Sequence, residues 1–334
     1  MMVAGQELEL PWQGAQWSRL ADLRRQARLP HAILLKGVQG LGKGQFARRL
    51  GRALVCASPT AGGDACGACA ACRQSAAGNH PDLRWVAPEE PGKMIRIDAI
   101  RELSSASMLA AQEGGFRVIV IEPADAMNQA AANALLKTLE EPASRTVLVL
   151  VSSRPDRLPA TIRSRCHAVA FSLPSRAELD GWLSAMLPAG ELEANLAIAG
   201  GAPLRAILAH EQDWLADDRQ LIEELAQLKN RSSNPMQVVE NWAKRPLRDM
   251  LDSLKRCTAD LVRLGHLRTG AGIFHPGDVS MLHTLVEGID LKDLHSFNDD
   301  LFRLERESHN NLNPQMMFEY LANRWLRFTR PGGR

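Results

Sequence analysis

AILLKGVQGLGKGQFARRLGRALV, residues 32–55, is an apolar run, a glycine-rich turn and a helical pattern in direct succession. Gly37, Gly42 and Lys43 fall on the fixed positions of the phosphate-binding loop G-x-x-x-x-G-K-[ST], with Gly40 inside it. Such a match counts only between a strand and a helix, and both flanks are present. Glycines let backbone amides approach a phosphate, the helix N-terminus favours an anion, and Lys43 adds a point charge. The pattern breaks at its last place. Gly44 stands where a Ser or Thr hydroxyl would hold magnesium.

Further short apolar runs follow at 83–87 (LRWVA), 117–121 (RVIVI), 146–151 (TVLVLV) and 168–171 (AVAF). The runs VIVI and VLVLV are continuous rather than alternating, as expected of strands covered on both faces. Helical patterns lie between the strands at 42–55, 98–111 and 128–139, the last stopped by Pro142. This alternation predicts an α/β domain with a mostly parallel sheet over residues 1–173. After Leu173-Pro174 the strand signals end. Residues 175–187 and 190–210 read as short helices interrupted by Pro and Gly, and from Asp213 apolar residues recur at three- and four-residue spacing. A small helical domain over 174–212 and a larger all-α domain over 213–334 are therefore expected.

A nucleotide hydrolase of this class also needs acids after an apolar strand, ordinarily Asp for the metal and then a catalytic Glu. The candidate is VIVIEPAD, residues 118–125. Glu122 takes the place of the metal ligand. Pro123 takes the place of the water-activating carboxylate and carries no base. Asp125 reads as a helix-start residue. The loop is thus compatible with a bound ATP or ADP, whose presence the sequence leaves open, but not with efficient hydrolysis.

Cys56, Cys66, Cys69 and Cys72 have the spacing C-x9-C-x2-C-x2-C. Two C-x-x-C steps and a fourth thiolate across a flexible loop can close a tetrahedron around zinc, and four thiolates leave no open coordination position. The expected metal is a structural Zn2+. An iron–sulfur run would continue C-x3-C-P after the third cysteine, whereas RQSAAG follows here. Cys166 and Cys257 stand alone.

The bulk numbers bound the remaining choices. With 334 residues, 45% apolar and 23% charged, the chain is an ordinary multi-domain globular protein. Forty basic against 38 acidic residues give a net charge of +2, which argues against a strongly cationic nucleic-acid binder. No stretch approaches the ~18 apolar residues of a membrane span. The start MMVAGQELELPW lacks the basic and apolar regions of a signal peptide, so a cytoplasmic protein with no membrane partner is expected.

Across most of its length the chain resembles a known family. The segments HAILLKGVQGLGKGQFARRLGRALVC, the cysteine cluster, HPDLRWVAPE, IRIDAIREL, NALLKTLEEP, LPATIRSRC and NNLNPQMMFEYLANRW come in the order seen in bacterial clamp-loader subunits of DNA polymerase III, members of the AAA+ group. NALLKTLEEP and SRC are the most specific of these and are shared with the ATP-hydrolysing gamma/tau subunits. The changes at Gly44 and Pro123 favour the delta-prime branch. The resemblance implies a AAA+ module, a small lid and a helical collar that holds five subunits in a ring. It also implies a non-hydrolysing, stator-like role beside gamma/tau and delta subunits, in a complex that sets the sliding clamp on primed DNA. On this resemblance Arg165 of the SRC motif enters a neighbour's ATP site as an arginine finger, with Arg163 close by. Lys137 is placed near DNA or a partner. Ser152 and Ser153 occupy the place of a γ-phosphate sensor or of a plain strand-end turn, and Arg205 resembles a second sensor only loosely.

Two other readings compete. The chain could be an active AAA+ ATPase of gamma/tau type, with Glu122 and a repositioned acid binding the metal. It could also be a zinc-knuckle nucleic-acid module on a degenerate P-loop scaffold, which the near-neutral charge disfavours.

Overall fold

A computed structural model describes residues 9–90, 92–107, 115–267, 272–307 and 313–329. The chain divides into two compact units, Met1–Trp182 and Leu183–Arg334.

In the first unit the elements run α1 (Gly14–Arg25), β1 (Ala32–Lys36), α2 (Lys43–Val55), α3 (Ala70–Ala76), β2 (Leu83–Val86), α4 (Ile97–Ser107), β3 (Arg117–Ile121), α5 (Gln129–Glu140), β4 (Thr146–Ser152), α6 (Ala160–Arg163) and β5 (His167–Ala170), with α7 (Arg176–Leu183) at its end. The five strands form one sheet in the order β2-β3-β4-β1-β5. Every pairing is parallel, with Leu34 beside Leu150 and Ile119 beside Leu148. The α/β class with a parallel sheet is therefore as expected. Both continuous runs, β3 and β4, are buried throughout. Alternate residues explain why: Leu34, Ile119, Ile121, Leu148 and Leu150 share a core with Ile100 and Leu103 of α4 and with Leu135 and Leu139 of α5. The opposite set, including Ile33, Val118 and Val149, is equally buried on the face that α2 covers.

Boundaries shift by small amounts for identifiable reasons. Gly42 and Asn128 lie just outside α2 and α5 as N-cap residues, and Asn128 Oδ1 accepts from the Ala131 amide at 2.8 Å. The last strand is His167–Ala170 rather than 168–171, and Phe171 N still donates to Lys36 O just beyond its end. The helix expected over 98–111 is seen to Ser107, and residues 108–111 lie outside the described ones. At the sheet edge, Arg117 and Asp82 form a buried ion pair at 2.9 Å that locks the start of β3 to the chain entering β2.

The second unit is helical among its described residues: α8 (Leu192–Ile198), α9 (Pro203–Glu211), α10 (Trp214–Lys229), α11 (Pro235–Trp242), α12 (Leu247–Leu267), α13 (Val279–Val286), α14 (Leu291–Glu307) and α15 (Pro314–Phe328). The short helices expected over 190–210 are α8 and α9, interrupted at Gly200-Gly201 as the Gly and Pro there suggest. From α10 onward one apolar core runs through Leu225, Trp242, Leu254, Phe297, Phe318 and Trp325. A polar knot lies buried elsewhere in the unit. His275 bridges Asp218 (2.9 Å) and Asp260 (2.7 Å), and Arg256 forks onto Asp218 at 2.7 and 3.0 Å. Among the described residues, no helix is long and apolar enough to cross a membrane.

Candidate functional site

The glycine-rich loop joins β1 to α2 as its pattern requires, and it is clasped by the chain ahead of it. Gln13 Nε2 donates to Leu41 O (2.8 Å) and Gly42 O (2.9 Å), and Trp12 Nε1 donates to Leu41 O (3.0 Å). Gly42 opens α2 with φ +79°, and a Cβ there would lie 2.1 Å from Leu10 Cδ1. Only glycine satisfies both the backbone and the clasp. The first amides of α2 have no partner within the helix, as at any helix N-terminus.

Lys43 is buried, and its ammonium turns onto the loop itself. Nζ donates to Val38 O at 2.7 Å and to Ser153 Oγ at 3.1 Å. Burial brings its pKa down to about 8, against the support of Asp125 and Glu122 for the charged form.

Gly44 and Glu122, 78 residues apart in the chain, meet here. A Cβ on Gly44 would lie 2.2 Å from Glu122 Oε1. The carboxylate thus fills the space that a Ser or Thr side chain needs. Burial raises the Glu122 pKa, while Arg48 and Lys43 favour its charged form. The missing hydroxyl and the altered acid are one packing arrangement, not two separate losses.

Asp125 departs from the helix-start expectation. It lies in a short 3-10 turn, Ala124–Ala126, and caps no α-helix, because Asn128 caps α5. Its Oδ1 instead accepts from Ser152 Oγ (2.7 Å) and from the Ser153 amide (3.1 Å), tying the exit of β3 to the end of β4. Ser153 then links this acid to Lys43. No signal within a single segment points to this network, which depends on the ends of β3 and β4 lying side by side in the parallel sheet.

The SRC turn follows α6. Arg163 is the last residue of that helix, and Arg165 lies two positions on. Cys166 is packed against the core shared by α4 and α5, and burial pushes its thiol up to about 11. It anchors the turn, while Arg165 stays 38% exposed, with Nη2 2.7 Å from Glu140 Oε1 and Nη1 donating to Thr161 O at 3.1 Å. Lys137, one turn before Glu140 on α5, is exposed. Arg205, in the second unit, lays its guanidinium 5.2 Å from the Trp214 ring centre.

The four cysteines converge between α2 and α3. Their sulfurs all lie within 4.8 Å of one another. Cys56 and Cys69 are 3.9 Å apart, and Cys66 and Cys72 are 3.8 Å apart. A tetrahedral ion with metal–sulfur bonds of ~2.3 Å requires sulfurs about 3.8 Å apart, so the cluster fits a metal ion. Amides of Cys66, Cys69 and Cys72 donate to the sulfurs of Cys56, Cys66 and Cys69 at 3.3, 3.4 and 3.4 Å, which favours thiolate. Backbone hydrogen bonds from Ala57 and Cys72 bring Cys69 down to about 6, and burial pushes Cys72 up to about 12. The loop between Cys56 and Cys66 is fastened from outside: Trp17 Nε1 donates to Gly62 O (3.0 Å), and Arg49 Nη2 donates to Asp64 Oδ2 (2.9 Å).

Comparison with known proteins places the chain in a family. Residues 12–175 match the family model described as "DNA polymerase III, delta subunit". The DNA polymerase III subunit delta' of Pseudomonas aeruginosa is 38% identical over 96% of this chain and 98% of its own length. The subunit delta' of Escherichia coli is 35% identical over 62% of each chain. A gamma/tau subunit from Mycobacterium bovis is 36% identical, over 44% of this chain and 25% of its own.

Proposed function

Since this chain belongs to the delta-prime family of DNA polymerase III clamp-loader subunits, we propose that it hydrolyses no ATP itself and contributes Arg165 to the ATP site of a neighbouring subunit. The observation that carries the first half is the Glu122 carboxylate lying over Gly44. A magnesium ion would lose its hydroxyl ligand there, and Pro123 provides no base to activate water. Lys43 is already engaged by Val38 O and Ser153 Oγ, so a nucleotide must compete with the loop's own contacts.

The second half rests on Arg165 being exposed on an anchored turn. A guanidinium offered from outside stabilises charge on a transferring phosphoryl group, and its planar fork suits that task. The neighbours in this reading are gamma/tau and delta subunits, and the complex acts on the sliding clamp and primed DNA in the cytoplasm. In this reading residues 174–212, with α7, α8 and α9, form the lid, and residues 213–334, with α10 to α15, form the collar. The cysteine cluster holds Zn2+ as a closed structural site, fixing the loop between α2 and α3.

The test is a reconstitution with gamma/tau and delta subunits. The isolated chain should show no turnover that Lys43→Ala removes. Arg165→Ala should assemble normally yet lose DNA-stimulated ATPase at the site it faces, where an arginine finger is worth roughly 10³-fold or more. Turnover by the isolated chain that depends on Lys43 would instead establish the gamma/tau-type reading.

A further inference from the structure

NALLKTLEEP and SRC lie about two dozen residues apart, and the fold joins them through one ion pair. Glu140 is the last residue of α5. A carboxylate is disfavoured at a helix C-terminus, where the backbone dipole already presents negative charge. Yet α5 ends in two acids, Glu140 and Glu141, before Pro142. Glu140 finds its counter-charge outside the helix, in Arg165 at 2.7 Å. The other end of the guanidinium donates to Thr161 O at 3.1 Å, a carbonyl in the short helix α6.

We propose that Glu140 is a positioning residue for Arg165, holding its guanidinium in the orientation that the neighbour's phosphate meets. The inference rests on the finger reading above. An arginine carries five N–H donors in a rigid plane, so two fixed bonds define the plane and leave the remaining donors available. An unheld arginine samples many rotamers, and ordering it on contact would weaken the finger. The pair is half exposed, so it is exchangeable rather than locked, and its contribution is modest.

The experiment uses the reconstituted complex and measures the Arg165-dependent part of ATP turnover, defined by the difference between the parent and Arg165→Ala. Glu140→Ala should lower that part about three- to fivefold in kcat, in the range of an exposed ion pair, with KM for ATP and assembly unchanged. Glu140→Gln should recover most of it, because the amide oxygen still accepts from Nη2. A Glu140→Ala complex as fast as the parent, or faster, overturns the proposal, the latter showing a restraining contact instead. Equal defects in Glu140→Ala and Glu140→Gln, or a defect that follows assembly, overturn it as well. If Arg165→Ala itself changes nothing, the finger reading falls and takes this one with it. If Arg165→Ala is impaired but Glu140→Ala is not, only the present proposal fails.

Discussion

Gly44→Ala adds a single methyl group, and its effect on stability should have the opposite sign from helix propensity. Gly44 is the second residue of α2. Replacing a helical glycine by alanine ordinarily stabilises by roughly 0.5–1 kcal/mol. Here the new Cβ would lie 2.2 Å from Glu122 Oε1 and 2.9 Å from its Cδ, against an ordinary heavy-atom contact of ~3.5 Å. The carboxylate must leave its place near Lys43 and Arg48, and overpacking of this kind costs about 1–3 kcal/mol. The net expectation is a loss of about 1 kcal/mol, within a range of roughly 0–2.5 kcal/mol. In a unit of this size that lowers the midpoint of thermal unfolding by about 2–4 °C per kcal/mol. In a Glu122→Asp background the carboxylate is drawn back by one methylene, and the same Gly44→Ala change should then stabilise. Differential scanning calorimetry on the parent, both single variants and the double variant closes the cycle. A higher midpoint for Gly44→Ala in the parent would refute the reasoning. So would effects that add within ~0.5 kcal/mol, the mark of independent sites.

Two further expectations follow from the sites above. Metal analysis of the reduced chain should find about one zinc ion, and its removal by a chelator should lower the stability of the first unit, because a closed four-thiolate site binds in the folded state alone. Unfolding of the second unit should depend on pH through His275. Burial pushes its pKa down, but hydrogen bonds to Asp218 and Asp260 outweigh this and raise it from 6.5 to about 9. A raised folded pKa stabilises fully below pH 6.5 and is lost as pH rises through 9. The difference of 2.5 units corresponds to about 3 kcal/mol at ~1.36 kcal/mol per unit. Urea unfolding at pH 6.5 and 9.5 should show that loss, and His275→Asn should flatten it.

Elements carried by local pattern were legible. Strands β1 and β3 coincide with their apolar runs, because a strand covered on both faces needs nothing but apolar residues along a short length. The thiol cluster was legible too, since its spacing alone brings three sulfurs to one turn. Asp125 was not. Its acidic side chain before a helix suggests a cap, yet parallel pairing of β3 with β4 carries Ser152 and Ser153 alongside and offers stronger partners. The pairing of Glu140 with Arg165 was not legible either, because the exposed Glu140 finds its partner on another element.

Local residue pattern is enough to give the α/β plan of the first unit, the match to a phosphate loop, the missing hydroxyl at Gly44 and the grouping of the four cysteines. Each depends on residue types within one segment and on fixed helical or strand periods. Tertiary structure alone decided that Glu122 fills the space beside Gly44, that Lys43 is held by Val38 and Ser153, that Arg165 rests on Glu140, and that His275 joins Asp218 to Asp260. These are meetings between side chains from different elements. Strand register and core packing set them, to within an ångström, and neither is written in the spacing of a single segment.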